Sequence, residues 1–98
     1  MSHTFAFSAE LWEWEGKAAW CFVTLPLEVS AEVREIPRMP RGFGSVRVSV
    51  SVGGSTWQTS IFPDTKAKSY ILPVKKAIRV AEGIEVHDSV EVRLELLE

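Results

Sequence analysis

Between Val46 and Val52 every second residue is valine, and the run stops at Gly53-Gly54 before a second strand-like run, Ser55 to Phe62, begins at once. A period of two sends the valines to one face of an extended strand, and the paired glycines supply a two-residue reversal. The segment therefore specifies an antiparallel hairpin with one buried face. The same alternation returns where Val90, Val92, Leu94 and Leu96 are separated by Glu91, Arg93 and Glu95. It also covers Thr4 to Glu13, where Phe5, Phe7, Ala9 and Leu11 form the apolar face against polar Thr4, Ser8 and Glu10. Half-buried strands of this kind must close their apolar faces on one another.

The intervening segments supply the other elements. Glu15-Gly16-Lys17 is a polar reversal into a second strand, Ala18 to Thr24, which pairs with the first as a hairpin. Trp12 and Trp14 have the parity opposite to Phe5, Phe7 and Leu11, so either the strand is bulged there or the pair covers a second apolar surface. Leu25, Val29, Val33 and Ile36 fall on one helical face, with Pro26 opening the segment and Pro37 ending it, which predicts a helix over roughly residues 27 to 36. Arg38 to Ser45 holds two glycines, a proline and two arginines without periodicity and reads as an exposed loop. Pro63-Asp64-Thr65-Lys66 makes a turn into a short strand, Lys68 to Leu72. Val74, Ala77, Ile78 and Ala81 then mark one face of a second helix, with Gly83 placed as its C′ residue, and Ile84 to Ser89 turns into the last strand. About six strands and two short helices, without a parallel strand-helix-strand rhythm, describe a mainly β fold. The expected architecture is a small split β-barrel or pseudobarrel whose openings are plugged by the helices.

With 98 residues, 46% of them hydrophobic, the chain has apolar material for one core and not two, so a single domain over residues 1–98 is expected. A formal net charge of -2 provides no overall basic field to draw it to nucleic acid or anionic lipid. Cys21 is the only cysteine, which rules out an intramolecular disulfide and suits a reducing compartment. No apolar run reaches the length of a signal core or a membrane span, so the expected setting is the cytoplasm, away from membranes.

Three stretches resemble, in order, a bacterial family: Gly42-Phe43-Gly44-Ser45-Val46, then Trp57-Gln58-Thr59-Ser60-Ile61-Phe62-Pro63-Asp64, then Tyr70-Ile71-Leu72-Pro73-Val74-Lys75-Lys76-Ala77-Ile78-Arg79. The family is the domain of unknown function numbered nineteen hundred and five. The likeness runs from the first strand through Glu82-Gly83-Ile84 and from Asp88 to Leu96. It implies a small split β-barrel, in some other proteins fused to a domain associated with bacteriocin protection, and no established activity. One departure is His87-Asp88 in the closing turn, where the family usually has glycine before the aspartate. If that position needs positive φ, histidine tolerates it better than most residues and less well than glycine. Over the C-terminal third, Tyr70 to Arg79, Gly83-Ile84 and Asp88 to Val92 are also similar to AbrB-type swapped-hairpin DNA-binding domains. A strand, a proline, a short helix and a return strand could produce that likeness alone.

Lys75, Lys76 and Arg79 fall near one another on the polar side of the second helix, with Arg38, Arg41 and Arg47 available to join them. Gathered on one face they would hold phosphate or carboxylate groups, since arginine offers a planar fork of donors and lysine a mobile point charge. They are equally what the solvated side of an amphipathic helix requires. Gly42-Phe43-Gly44 lacks the Walker or Rossmann spacing and leads into a strand, so it reads as a tight turn with Phe43 packed over the barrel end. Trp12, Trp14, Trp20 and Trp57 suffice to line a pocket or an interface, although the core is the ordinary place for such side chains. Trp12 and Trp14 are the interface candidates. Cys21 shares strand parity with Ala19 and Val23 and reads as a buried, inert thiol. The histidines are His3, in the terminus, and His87, in a turn, which give no triad, and the carboxylates are dispersed, so no catalytic residue, metal site or cofactor is expected.

These readings describe a non-enzymatic binding or interaction module for a small anionic ligand or a protein partner, with Arg41, Arg47, Lys75 and Arg79 as the ligand-binding residues. The alternative is a homodimeric AbrB-like DNA-binding domain, which would join two basic surfaces across a two-fold axis. The acidic balance speaks against nucleic acid.

Overall fold

The computed structural model describes residues 3–15, 20–37 and 44–97. In chain order they form β1 (Thr4–Glu13), β2 (Cys21–Thr24), α1 (Leu27–Glu35), β3 (Val46–Val52), β4 (Ser55–Asp64), β5 (Ser69–Pro73), α2 (Lys76–Glu82) and β6 (Ser89–Leu96). The six strands make a closed barrel in the order β1-β2-β5-β4-β3-β6. Every pair is antiparallel.

Closure rests on two long strands that change partner midway. β1 pairs with β6 from Thr4 to Glu10 and with β2 from Leu11 to Glu13. β4 pairs with β3 from Ser55 to Ile61 and with β5 from Phe62 to Asp64. Each long strand thus belongs to two sheets and joins them along its own backbone.

The period-two segments point inward as their pattern requires. Val46, Val48, Val50 and Val52 of β3 and Val90, Val92, Leu94 and Leu96 of β6 are buried, and they share one apolar cluster with Leu11, Val23, Ile61 and Leu72. Each such side chain contributes about 1.5–3 kcal/mol over leaving it exposed. The β1 register continues through Trp12↔Phe22 and Glu13↔Cys21 without an inserted residue, so the strand is not bulged there. Trp12 lies on the outer face, its ring 5.1 Å from that of Phe22 and its indole N–H donating to Thr24 Oγ1 at 2.9 Å.

Two polar locks hold the helices on the barrel. Under α1, the Tyr70 N–H donates to Ser30 Oγ at 3.1 Å, Ser30 donates to Ser69 Oγ at 2.5 Å, and Ser69 donates to the Leu25 carbonyl at 2.5 Å. Both serines are buried, and each hydroxyl gives one bond and takes one, so the chain of bonds leaves neither unsatisfied. At the end of α2, the Glu82 carboxylate accepts the Gly54 N–H at 3.4 Å and the Ser55 hydroxyl at 2.6 Å. Gly54 and Ser55 belong to the β3–β4 turn, in which only Gly53 of the glycine pair has positive φ, +58°, the II′ arrangement.

Several boundaries differ from the sequence reading. β4 runs on through Pro63 and Asp64, which pair with Tyr70 and Ser69. The turn begins after Asp64, whose Oδ1 accepts the N–H groups of Lys66 at 3.1 Å and Ala67 at 3.4 Å. α2 does end at a left-handed Gly83, yet Ala77 and Ala81 are exposed. A helix of seven residues presents only Ile78 to the core, after buried Val74, and the Glu82 bonds set its roll. His87 has φ +80° in the turn closed by the Asp88 N–H on the Glu85 carbonyl, 3.0 Å, so the position does require positive φ. Its Nδ1 lies 2.8 Å from Glu10 Oε2 on the exposed surface. The loop read from Arg38 to Ser45 lies outside the described residues as far as Phe43, including Arg38, Arg41 and Gly42. Among the described residues no helix is long and apolar enough to cross a membrane.

Two substitutions probe these constraints by urea denaturation. A Cβ at Gly53 would run into Oε1 of Glu82, so Gly53→Ala should cost about 1–3 kcal/mol, combining that clash with the strained φ, whereas Gly54→Ala should stay within about 0.5 kcal/mol. Ser30→Ala strands a buried amide and breaks the serine chain, for an expected loss of about 1–3 kcal/mol.

Candidate functional site

β5 runs out at Pro73, which has no N–H to continue a ladder. The Val74 N–H makes one last strand-like bond, to the Cys21 carbonyl at 3.0 Å, before the chain turns into α2. Since β4 pairs with β5 only from Phe62 onward, the first half of β4 and the start of β2 face each other across a gap that β5 does not fill. The gap is a concavity of about 390 Å³. Its walls are Trp20 and Phe22 from the β2 side and Trp57 from β4, and its lip carries Lys75, Lys76 and Arg79.

Each of these side chains is placed by the local fold. Trp57 has the inward parity of β4, opposite Val50, and is only 9% exposed. Phe22 has the outward parity of β2 and is covered by Trp12. Trp20, just before β2, accepts the Trp14 N–H on its carbonyl at 2.8 Å, while its side chain stays 59% exposed. Arg79 donates through Nε to the Val74 carbonyl at 3.1 Å, which holds its guanidinium near the lip. Lys75 and Lys76 are exposed, and neither is hydrogen-bonded or ion-paired through its ammonium group among the described residues. The concavity therefore joins aromatic walls to two lysines that form no ion pair among the described residues.

Of the four cations expected at a ligand site, the structure brings Lys75 and Arg79 together, with Lys76 beside them. Arg47 does not line this concavity. It lies on β3 opposite Ser60, with Nη1 3.5 Å from Ser60 Oγ, and β4 stands between it and the gap. Arg41 lies outside the described residues. Nor do Trp12 and Trp14, the interface candidates, line the concavity; Trp12 is half-buried against Phe22 and Trp14 is 53% exposed on the surface. The aromatic walls come instead from Trp20, Phe22 and Trp57. The outward parity of Phe22 was legible in the sequence, but the early end of β5 that sets these three side by side was not.

Wider depressions occur on the outer faces of β1, β3 and β6 and beside the end of α1. The first carries mixed charges, Glu91 and Arg93, the second carries Glu32 and Glu35, and no comparable set of cations gathers at either. Among the described residues, no three of His, Cys, Asp and Glu come together as a metal would need.

Residues 7–94 match the family model of DUF1905, a domain of unknown function. No curated protein matches the chain.

Cys21 borders this concavity but is 3% exposed. Its thiol should react with an aromatic disulfide reagent at least about tenfold more slowly in the native protein than in denaturant, because access limits thiolate attack.

Proposed function

The chain belongs to the DUF1905 family, and from that premise we propose a non-enzymatic binding module that captures a small anionic ligand in the gap beyond β5. The observation that carries this reading is the convergence of Lys75, Lys76 and Arg79 on one aromatic-walled concavity. Cations beside apolar walls are worth more than cations on a convex surface, because partial exclusion of water lowers the effective dielectric constant around the anion. The arginine fork suits a planar pair of oxygens, and the two ammonium groups suit further oxygens of a phosphate or carboxylate. The proposed setting is the cytoplasm, which fits a single buried cysteine, Cys21, that can form no intramolecular disulfide.

A DNA-binding dimer is the weaker reading. The barrel closes with strands of its own chain, and the cations gather in a recess too narrow for a duplex to enter as a whole.

Titration calorimetry with inorganic phosphate, pyrophosphate and citrate tests the proposal. The intact protein should bind at least one of them, and Lys75→Ala with Arg79→Ala should weaken that binding at least about tenfold, the factor expected from lost charge-assisted bonds. Arg47→Ala should leave it unchanged. Equal binding by the double variant would sink the proposal.

A further inference from the structure

The concavity offers more than an anion can use. A phosphate seated against Lys75, Lys76 and Arg79 would leave Trp20, Phe22 and Trp57 in contact with water, in a recess of about 390 Å³ that falls in the size range of organic-ligand sites. Two of these aromatic groups could serve such a ligand. Trp20 is tilted against Phe22 with 6.5 Å between ring centroids, yet keeps 59% of its surface exposed. Trp57 is nine-tenths buried, yet its indole N–H donates to no acceptor among the described residues, and the nitrogen is not sealed from solvent. Trp57 lines the recess together with Trp20 and Phe22, and its nitrogen is a donor without an acceptor among the described residues.

We infer that the ligand is a nucleoside monophosphate, a planar heteroaromatic ring joined through a sugar to a phosphate. The inference rests on the proposed anion site and extends it to the other half of the recess. Trp20 supplies a face on which the ring stacks, and the Trp57 N–H supplies a donor to a ring nitrogen or carbonyl. Phosphate suits the lip better than a single carboxylate does, because two lysines that form no ion pair among the described residues and an arginine match the near-double negative charge of a phosphate monoester at neutral pH.

Titration calorimetry with adenosine 5′-monophosphate, ribose 5-phosphate, adenosine and inorganic phosphate separates the two halves. Adenosine 5′-monophosphate should bind about tenfold or more tightly than ribose 5-phosphate, the factor that stacking of one ring supplies. Trp20→Ala should abolish that preference, leaving the two ligands within about twofold of each other. Trp20 is exposed, so this variant should keep the melting temperature of the parent and needs no core to refold. Trp57→Phe keeps most of the buried ring and should weaken the adenosine phosphate alone. If ribose 5-phosphate binds as tightly as adenosine 5′-monophosphate, the nucleotide inference is overturned while the anion site stands. If adenosine binds as tightly as its phosphate, the assignment of the phosphate to the lip is overturned. If none of the phosphates binds, the anion site falls as well.

Discussion

The exchange of partners within β1 and β4 is the constraint from which the rest of the molecule follows. Each strand is paired first with one neighbour and then with another, β6 then β2 for β1, and β3 then β5 for β4. An open sheet of similar strands would expose a row of unpaired amides at each edge, and a closed ring of six covers most of them with backbone of the same chain. Closure also concentrates the alternating apolar residues of β3 and β6 in one cluster with Leu11, Val23 and Ile61.

The exchange carries a geometric consequence. Where a strand leaves one partner for the next, the ladder is incomplete on one side, and something else must occupy the space. α1 and α2 serve that purpose, and each is fastened by polar bonds as well as by apolar side chains packed on the core, Val33 with half-buried Val29 and Ile36 at α1 and Ile78 on α2. The Ser30–Ser69 relay ties α1 to β5, and the Glu82 carboxylate ties α2 to the β3–β4 turn. Short helices gain little from their own hydrogen bonds, so such tertiary anchors decide whether they form at all. α2 is short enough that its remaining charged residues stay at the lip of the gap instead of covering it. The recess beyond Pro73 is thus a by-product of barrel closure that the chain furnishes with aromatic rings and cations.

Much of the architecture could be read from residue order alone, because strand alternation and turn chemistry are local. Val46 to Val52 with Gly53-Gly54, Thr4 to Glu13, and Val90 to Leu96 appear where the period of two put them. The α1 span and the left-handed Gly83 were equally legible, since prolines and a C′ glycine mark ends through their own dihedral preferences. The extension of β4 through Pro63 was less so, because proline ordinarily signals a turn unless its neighbours complete the pairing.

The sequence by itself determined that the chain would bury alternating faces in a mainly β barrel with two short helices, and that Lys75, Lys76 and Arg79 would lie close together on one of them. Only the tertiary structure decided what those cations face. Trp20, Phe22 and Trp57 come from strands far apart in the chain, and they meet the lip of α2 because β5 stops early between β2 and β4. Arg47 was separated from them by the same pairing, with β4 interposed. Local preferences act over a few residues, whereas the company a side chain keeps across a barrel depends on which strands pair and where each pairing ends.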